Sequence, residues 1–459
     1  MVQRMKTENL TSQNSLRYIA SRYNVRTYDD QENLLLYNSF TGEFVTILKD
    51  DCEFIINILM KGTDKCTDFR VQELIQRGFL VDEKTDQIQI ANFQQKQALV
   101  NNRVLNLILM PNEDCNFRCI YCYESFAKNK MEESVQEGVI EYVKREIRKF
   151  ELLHISWFGG EPTTALEIVE KLSVQMIKIC KENGKAYTSN MTTNGYNLNL
   201  DVFKRLLRLG VRSYQITFDG TIDEHDQHRV LIDGGPTFER IYSNLMDIKN
   251  SDLKGFKIII RTNVDEQNKS NMNQYIRLMS ESFGGDPRFT NHFVPVQKLG
   301  GTNDSNLHLC DTKELLPFID QALDAGLDFS LYRQLFKPHG SVCYAAKPNS
   351  FVIGSDGMVY KCTVAFDDER NHVGQLNKDG KMELYHNRLA LWVANGAAED
   401  VTCQSCYFRP SCQGEACPLE RIENGKTPCP PTKKNLKGYL RVLAKEKNHV
   451  VFSHGDDIS

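Results

Sequence analysis

The amino-acid sequence predicts an α/β protein built on a partial (β/α)6 barrel, with a winged-helix-like α+β domain before it and a cysteine-rich domain after it. Three observations lead there. Between Asn101 and about Arg333 strand-like runs alternate six times with helix-like runs; residues 16–100 group short strands ahead of helical segments; and past about Phe336 the alternation stops and cysteines become frequent. Strand–helix repeats imply parallel strands joined by right-handed crossovers. Six units, fewer than a closed barrel needs, imply an open barrel with its chemistry at the C-terminal ends of the strands. The expected division is residues 1–100, 101–335 and 336–440, then a tail over 441–459.

In the first part, RYNVRTY, ENLLLYNS and GEFVTIL read as short strands broken at Asp29-Asp30 and Thr41-Gly42. CEFIINILM and VQELIQRGFLV follow with helical periodicity, and EKTDQIQI is expected to add a last strand. In the second part, VLNLILM, LHISWFG, KAYTSNMTT, RSYQITF, FKIIIRTNV and FTNHFVPV are the strands, with helices such as MEESVQEGVIEYVKREIRKF and LDVFKRLLRL between them. The third part, Cys343 to Cys429, has few long periodic segments, so metal cross-links are expected to replace missing hydrophobic burial. The closing VVFSHGDDIS is polar and is expected to fray.

Of the 459 residues 41% are apolar, enough for a substantial core. Lys and Arg total 56 against 60 Asp and Glu, a net charge of -4, which gives no general pull toward nucleic acid or membrane. MVQRMKTENLTSQNS has no apolar signal segment, and no run approaches the roughly 18 apolar residues of a membrane span, so a cytoplasmic protein is expected. Thiols stay reduced there, and the 14 cysteines are not expected to pair. Ten of them fall in clusters with ligand-like spacing; Cys52, Cys66, Cys180 and Cys310 lie outside and read as small buried hydrophobes.

The stretch Cys115 to Cys122, CNFRCIYC, follows the first barrel strand and spaces three thiols as Cys-x3-Cys-x2-Cys. Such a loop can hold three corners of a cubane iron–sulfur cluster and leave the last iron open to a small molecule. A zinc knuckle is the plainer alternative, but its further ligand is missing nearby. Gly159-Gly160-Glu161-Pro162 ends the second strand; the glycines admit a ligand to the backbone, and the carbonyls and Glu161 can accept hydrogen bonds from an ammonium. The fourth strand ends in QITFDGTIDEHDQHR, with Thr217 and Asp219 on one face and Arg229 after the turn. Arg229 suits either a bidentate carboxylate contact or a surface salt bridge. Thr193-Asn194-Gly195 and Arg261-Thr262-Asn263 are further mouth candidates. Toward the C-terminus come Cys343, Cys362, then Cys403-x2-Cys406-x5-Cys412-x4-Cys417, and Cys429.

Read with WFGGEPTT, the loop resembles the radical S-adenosylmethionine (radical SAM) enzymes, and the later cysteines resemble their SPASM extension; the resemblance spans most of the chain. It implies that Cys115, Cys119 and Cys122 hold a catalytic 4Fe–4S cluster whose open iron chelates S-adenosylmethionine, and that reductive cleavage of that cofactor yields a 5′-deoxyadenosyl radical. It implies further cofactor contacts from Tyr121 beside the adenine, from Gly159, Gly160 and Glu161 at the methionine amino group, and from Thr217 and Arg229; relatives carry serine at the Thr217 position. Core packing is the alternative for Tyr121. Carried over in the same way, Cys403, Cys406, Cys412 and Cys429 ligate one auxiliary 4Fe–4S cluster, and Cys343, Cys362 and Cys417 the other. The SPASM pattern usually has three residues where this chain has four, Gln413 to Ala416. The smaller set lacks a fourth cysteine, so either an iron is open to a peptide thiolate or Cys310, water or another residue completes it.

Residues 16–100 resemble precursor-recognition domains, to whose sheet edge a leader peptide adds as an extra strand, although a mere packing extension of the barrel has the same pattern. The whole implies an enzyme: a radical SAM peptide-modifying oxidoreductase that binds a precursor leader, takes a hydrogen from a core-peptide carbon and closes a cysteine sulfur onto it as a thioether. An external electron donor such as flavodoxin or ferredoxin is expected, and neither nucleic acid nor membrane. The nearest rival is a sulfatase-maturating enzyme, which oxidises Cys or Ser to formylglycine; it carries aspartate after the cysteine at the Cys362 position, where this chain has Thr363. A non-catalytic electron carrier or zinc-structured interaction protein has no use for GGEP at a barrel mouth.

Overall fold

The computed structural model describes residues 16–99, 103–394, 400–446 and 450–452. The signal-free segment read at residues 1–15 therefore lies outside the described residues. Asn24–Tyr28 (β1), Leu34–Asn38 (β2) and Phe44–Ile47 (β3) form an antiparallel sheet. Helices Lys49–Lys61 and Phe69–Gln76 bury Ile55, Val71 and Leu74 against Leu34, Leu36, Val45 and Ile47 of that sheet. EKTDQIQI does not add a strand. Leu80–Asp82 pairs with Tyr18–Ala20, and Gln87–Leu99 is a helix. The Asp86 carboxylate accepts from Gln89 N at 3.0 Å, and this local cap together with good helix formers overrides the Gln–Ile alternation.

The barrel strands are Val104–Asn112 (β4), Leu152–Gly159 (β5), Ala186–Thr193 (β6), Val211–Thr217 (β7), Lys257–Val264 (β8) and Phe289–Pro295 (β9). They pair in sequence order, each parallel to the next. Their alternation explains both sides of the sheet. On β5, Leu153, Ile155 and Trp157 are fully buried in the main core under the outer helices, whereas His154, Ser156 and Phe158 line the interior.

The expectation that metal cross-links replace hydrophobic burial in the cysteine-rich part is corrected by its sheet. Ser350–Ile353 (β10) pairs parallel with β4 along the edge that β5 leaves free. Met358–Tyr360 (β11), His372–Leu376 (β12) and Met382–Leu384 (β13) continue antiparallel, completing a 10-stranded sheet. Phe351, Ile353, Val359 and Val373 thereby join the barrel's own hydrophobic core. The expected fraying of VVFSHGDDIS is overturned for its first residues: Val450–Phe452 (β14) pairs parallel with β3, because Phe452 finds a buried place in that sheet's core. Residues 453–459 lie outside the described residues. Among the described residues no helix is long and apolar enough to cross a membrane.

Buried polar contacts fasten the N-terminal sheet to the rest. Tyr37, 1% exposed, donates its hydroxyl to the Phe336 carbonyl at 2.5 Å and shares a hydrogen bond with Ser411 Oγ at 2.9 Å. Its ring meets Phe336 edge-on at 5.6 Å. Nearby, Arg409 donates to Gln95 Oε1 at 2.7 Å, and Gln95 Nε2 donates to the Gln413 carbonyl at 3.1 Å. Tyr37→Phe keeps the ring but removes two buried hydrogen bonds, leaving the Phe336 carbonyl and Ser411 Oγ only their own contact at 3.3 Å. It is expected to weaken the docking by about 1–3 kcal/mol, read as faster amide exchange in β2 with β5 unchanged; equal exchange in β2 would show that the hydroxyl does not hold the interface.

Candidate active site

The cysteine loop is clamped over the barrel mouth by backbone pairing. Phe117–Cys119 forms a short antiparallel ribbon with Arg229–Leu231, placing Cys119 opposite Arg229. Ile120 N donates to the His228 carbonyl at 3.0 Å, which extends the clamp. The loop after β4 is thus tied to the segment after β7. Burial pushes the Cys122 thiol up to about 12, and the nearby Cys119 adds to the rise. Burial likewise raises Cys115, with Glu161, Cys119 and Cys122 contributing, and raises Cys119 against the opposing pull of Arg229. Three thiols this crowded and dry keep their protons unless a soft metal takes them as thiolates. The donor set therefore fits an iron–sulfur cluster.

Beside the loop, two glycines are required by close approach. Gly159 has φ 107°, and a Cβ there would sit 2.4 Å from the Asn112 carbonyl oxygen; at Gly160 it would sit 2.4 Å from that of Asp114. Gly160 N donates to Asn112 O and Glu161 N to Asp114 O, both at 3.1 Å, so the end of β5 is laced to the residues leading into Cys115. The structure adds a bracing role for Glu161. Its carboxylate is 0% exposed and accepts from Thr163 N and Thr163 Oγ1 at 2.9 and 2.6 Å, from Thr193 Oγ1 at 2.6 Å and from Asn194 N at 2.6 Å. Three of these bonds fall on Oε1 and one on Oε2, so Glu161 braces the ends of β5 and β6 while Oε2 keeps an acceptor site at the pocket.

A second buried network stands across the mouth. The Tyr121 hydroxyl donates to Asp219 and accepts from Arg229 Nη1 at 2.8 Å. Asp219 is fully buried and also accepts from Asn263 N at 2.9 Å. The Arg229 guanidinium lies 5.6 Å above the Phe117 ring, and its Nε is buried without a hydrogen-bond partner. Burial pulls its pKa down, but Cys119, Tyr121 and Asp219 beside it leave it well above the ordinary guanidinium range. A surface salt bridge is excluded for Arg229. One pocket of about 370 Å³ gathers Cys115, Cys119, Tyr121, Cys122, Gly159, Gly160, Glu161, Thr217 and Arg229, together with Thr193, Asn194, Arg261 and Asn263. Gly195 and Thr262 do not face it: a Cβ on Gly195 would strike Ile216, and Thr262 is fully buried with its hydroxyl on Tyr275.

Sequence reasoning missed the interior of the barrel. A cavity of about 690 Å³ is lined by Ile108, His154, Ser156 and Asn190, with Gln95 and His339 from the flanking segments on its rim. His154 Nδ1 lies 2.8 Å from Thr188 Oγ1 and its Nε2 lies 3.0 Å from Asn190 Nδ2. Burial depresses its pKa and keeps it neutral. The signal was the polar half of the LHISWFG alternation. Mouth and cavity share Phe158, Thr192 and Thr363.

The C-terminal thiols separate into two sets. Burial pushes Cys343 up to about 12, with Cys362 and Cys417 adding to the rise. Burial pushes Cys412 up to about 12 as well, with Cys406, Cys403 and Cys429 adding to the rise. Cys310 stands apart, its thiol 3.2 Å from the Val264 carbonyl and close to Glu314. Among the described residues no three His, Cys, Asp or Glu side chains close upon a single ion.

Residues 109–279 match the family model described as the Radical SAM superfamily. A cysteine-type anaerobic sulfatase-maturating enzyme of Clostridium novyi (strain NT) is 22% identical over 67% of this chain and 87% of its own length. The solved structure of polyhistidine-tagged anSMEcpe with bound AdoMet superposes with a TM-score of 0.58 at 19% identity, covering 74% of this chain and 96% of that one. Streptococcus suis SuiB bound to precursor peptide SuiA aligns over 91% of this chain and 98% of its own, at 15% identity and a TM-score of 0.48. The cysteine clamp, the glycine-lined mouth and the parallel open barrel thus belong to a radical SAM domain, carried in the fold of the anSMEcpe structure.

Proposed function

We propose that this chain is a radical SAM peptide-modifying enzyme that closes a cysteine sulfur of a ribosomally made precursor onto one of the peptide's carbons as a thioether. The observation that carries this reading is the position of Thr363. It follows Cys362 directly and lines both the mouth pocket and the interior cavity. A peptide in the interior would meet the Cys115 loop on one side and the Cys343, Cys362 and Cys417 thiols on the other. A peptide substrate is also in keeping with anSMEcpe, which has been solved with AdoMet and the Cp18Cys peptide bound.

Together, a 4Fe–4S cluster on Cys115, Cys119 and Cys122 and S-adenosylmethionine supply a 5′-deoxyadenosyl radical when bound. The chain's own residues do the positioning. Gly159 and Gly160 admit an amino group to the backbone, Arg229 offers its unpartnered Nε to a carboxylate, and Tyr121 and Thr217 wall off water. Overall the peptide gives up a hydrogen atom from carbon, the thiol proton and one electron, and gains a C–S bond. Cys403, Cys406, Cys412 and Cys429 would hold one auxiliary cluster able to take that electron. Cys343, Cys362 and Cys417 would hold the other, with a position left for the peptide sulfur. Residues 16–99 would bind the precursor leader, and an external donor such as flavodoxin or ferredoxin would reduce the catalytic cluster.

Similarity to the sulfatase-maturating enzyme favours a second reading, oxidation of a cysteine to formylglycine. Thr363 speaks against it: its hydroxyl is engaged with Tyr344 OH at 2.8 Å, and it presents no carboxylate to the substrate. The product decides. Mass spectrometry of the modified precursor is expected to show loss of two hydrogens and a cysteine no longer open to alkylation; a hydrazine-reactive aldehyde would establish the second reading instead.

Anaerobic reconstitution is expected to give about twelve irons per chain, falling to about eight in Cys403→Ala; roughly four irons, or stoichiometric zinc, would sink the three-cluster assignment. Arg229→Lys is expected to keep its iron but bind S-adenosylmethionine about tenfold more weakly, the scale of one lost charge-assisted contact. An unchanged Kd by calorimetry would remove Arg229 from the cofactor site.

A further inference from the structure

The N-terminal sheet has the order β14, β3, β2, β1, so its outer strand beside β3 is supplied by the far end of the chain. The register sets Val450 against Val45, Val451 against Thr46 and Phe452 against Ile47. Leu48 N donates to the Phe452 carbonyl at 3.3 Å, just past the ladder. Side chains divide as in any strand: Val451 is 40% exposed, while Phe452 is 5% exposed among Leu34, Leu36, Val45, Ile47, Val71 and Leu74. The Arg77 guanidinium closes over that ring at 5.9 Å and is itself held by Glu43 and Glu73 at 2.8 and 3.0 Å. The β3 edge thus offers a peptide two things, a row of backbone groups and an aromatic socket roofed by a cation.

The present occupant is slight. It is 3 residues long, with one deeply buried side chain, and it pairs parallel, the weaker of the two ladder geometries. Its advantage is its tether. Helix Leu436–Ala444 is anchored beside the sheet, with Arg441 Nε donating to the Tyr28 carbonyl at 2.8 Å. A short tether of this kind gives its strand an effective concentration on the order of millimolar. An incoming strand with more contacts wins only by outcompeting that local concentration.

We propose that the outer edge of β3 is a docking site for an extended peptide segment with the pattern aliphatic, any residue, aromatic, and that Val450–Phe452 fills this site until such a segment displaces it. The identity of the incoming segment as a precursor leader rests on the reading of residues 16–99 given above; the occupied edge does not.

The probe is a fluorescein-labelled synthetic peptide of residues 447–459, titrated by anisotropy into the reconstituted full chain and into the same chain ending at Glu446. The shortened chain is expected to bind it at least tenfold more tightly than the full chain, and a probe carrying Phe452→Ala is expected to lose at least tenfold. Equal binding to both chains, or no binding to a shortened chain with an unchanged melting transition, overturns the inference. If the shortened chain does not melt cooperatively, full-length Phe452→Ala is read in its place. It keeps the whole chain while weakening the occupant, and is expected to bind the unaltered probe at least fivefold more tightly than wild type; unchanged binding there also overturns the inference. Phage-displayed peptides selected on whichever variant binds the probe separate the two readings. Enrichment of aromatic-bearing strands that leave precursor modification unaffected would refute leader recognition while sustaining the edge site.

Discussion

A parallel sheet of six strands cannot close on itself, and that constraint governs the rest of this molecule. The barrel strands run from β4 to β9 in order and leave an open seam. Their inward residues are too few and too polar to fill the space, so a cavity with His154, Ser156 and Asn190 on its wall remains. A cavity of that kind is useful only if solvent is kept from it. The flanking segments stand on its rim, the N-terminal helix through Gln95 and the C-terminal part through His339, Tyr344 and Glu415. Both flanks also join the barrel by secondary structure or buried hydrogen bonds: β10 extends the sheet at β4, and Tyr37 reaches Phe336 and Ser411.

At the mouth, the same economy applies to charge. Arg229 is buried with its charge, hydrogen-bonded to Tyr121, which in turn donates to Asp219. Glu161 is buried too, and its carboxylate ties β5 to β6 through Thr163, Thr193 and Asn194. Neither residue is free to wander when a ligand arrives, which is the preorganisation a radical reaction needs to keep its reactive species on one path. The ribbon between Phe117–Cys119 and Arg229–Leu231 makes the cysteine loop part of this rigid frame.

Much of this was legible in the sequence where the signal is local. The barrel strands announce themselves as apolar runs between amphipathic helices, and the cysteine sets announce themselves by spacing, which the fold gathers at the mouth and beside Cys343 and Cys412. Gly159 and Gly160 were legible as places of close backbone approach, although the groups that crowd them, the Asn112 and Asp114 carbonyls, are seen only in the fold. What escaped is what depends on distant partners. No window of sequence contains both Ser350 and Asn106, or both Phe452 and Ile47, yet those pairs define two sheet edges. Helix Gln87–Leu99 escaped because one cap at Asp86 outweighs an alternating pattern. The bracing role of Glu161 escaped because its type shows what it can accept, and only the fold brings Thr163, Thr193 and Asn194 to it.

The strand supplied by Val450–Phe452 has a consequence for synthesis. Its partner, Phe44–Ile47, leaves the ribosome some four hundred residues earlier. At roughly 5–20 residues per second, that is an interval of about twenty to eighty seconds. Throughout it the N-terminal sheet stands with β3 bare and the Phe452 socket open, while the barrel and the cysteine-rich domain are still being made. The nascent chain therefore presents its most adhesive edge before it has the means to cover it, and a strand from elsewhere in the cell has its easiest access then.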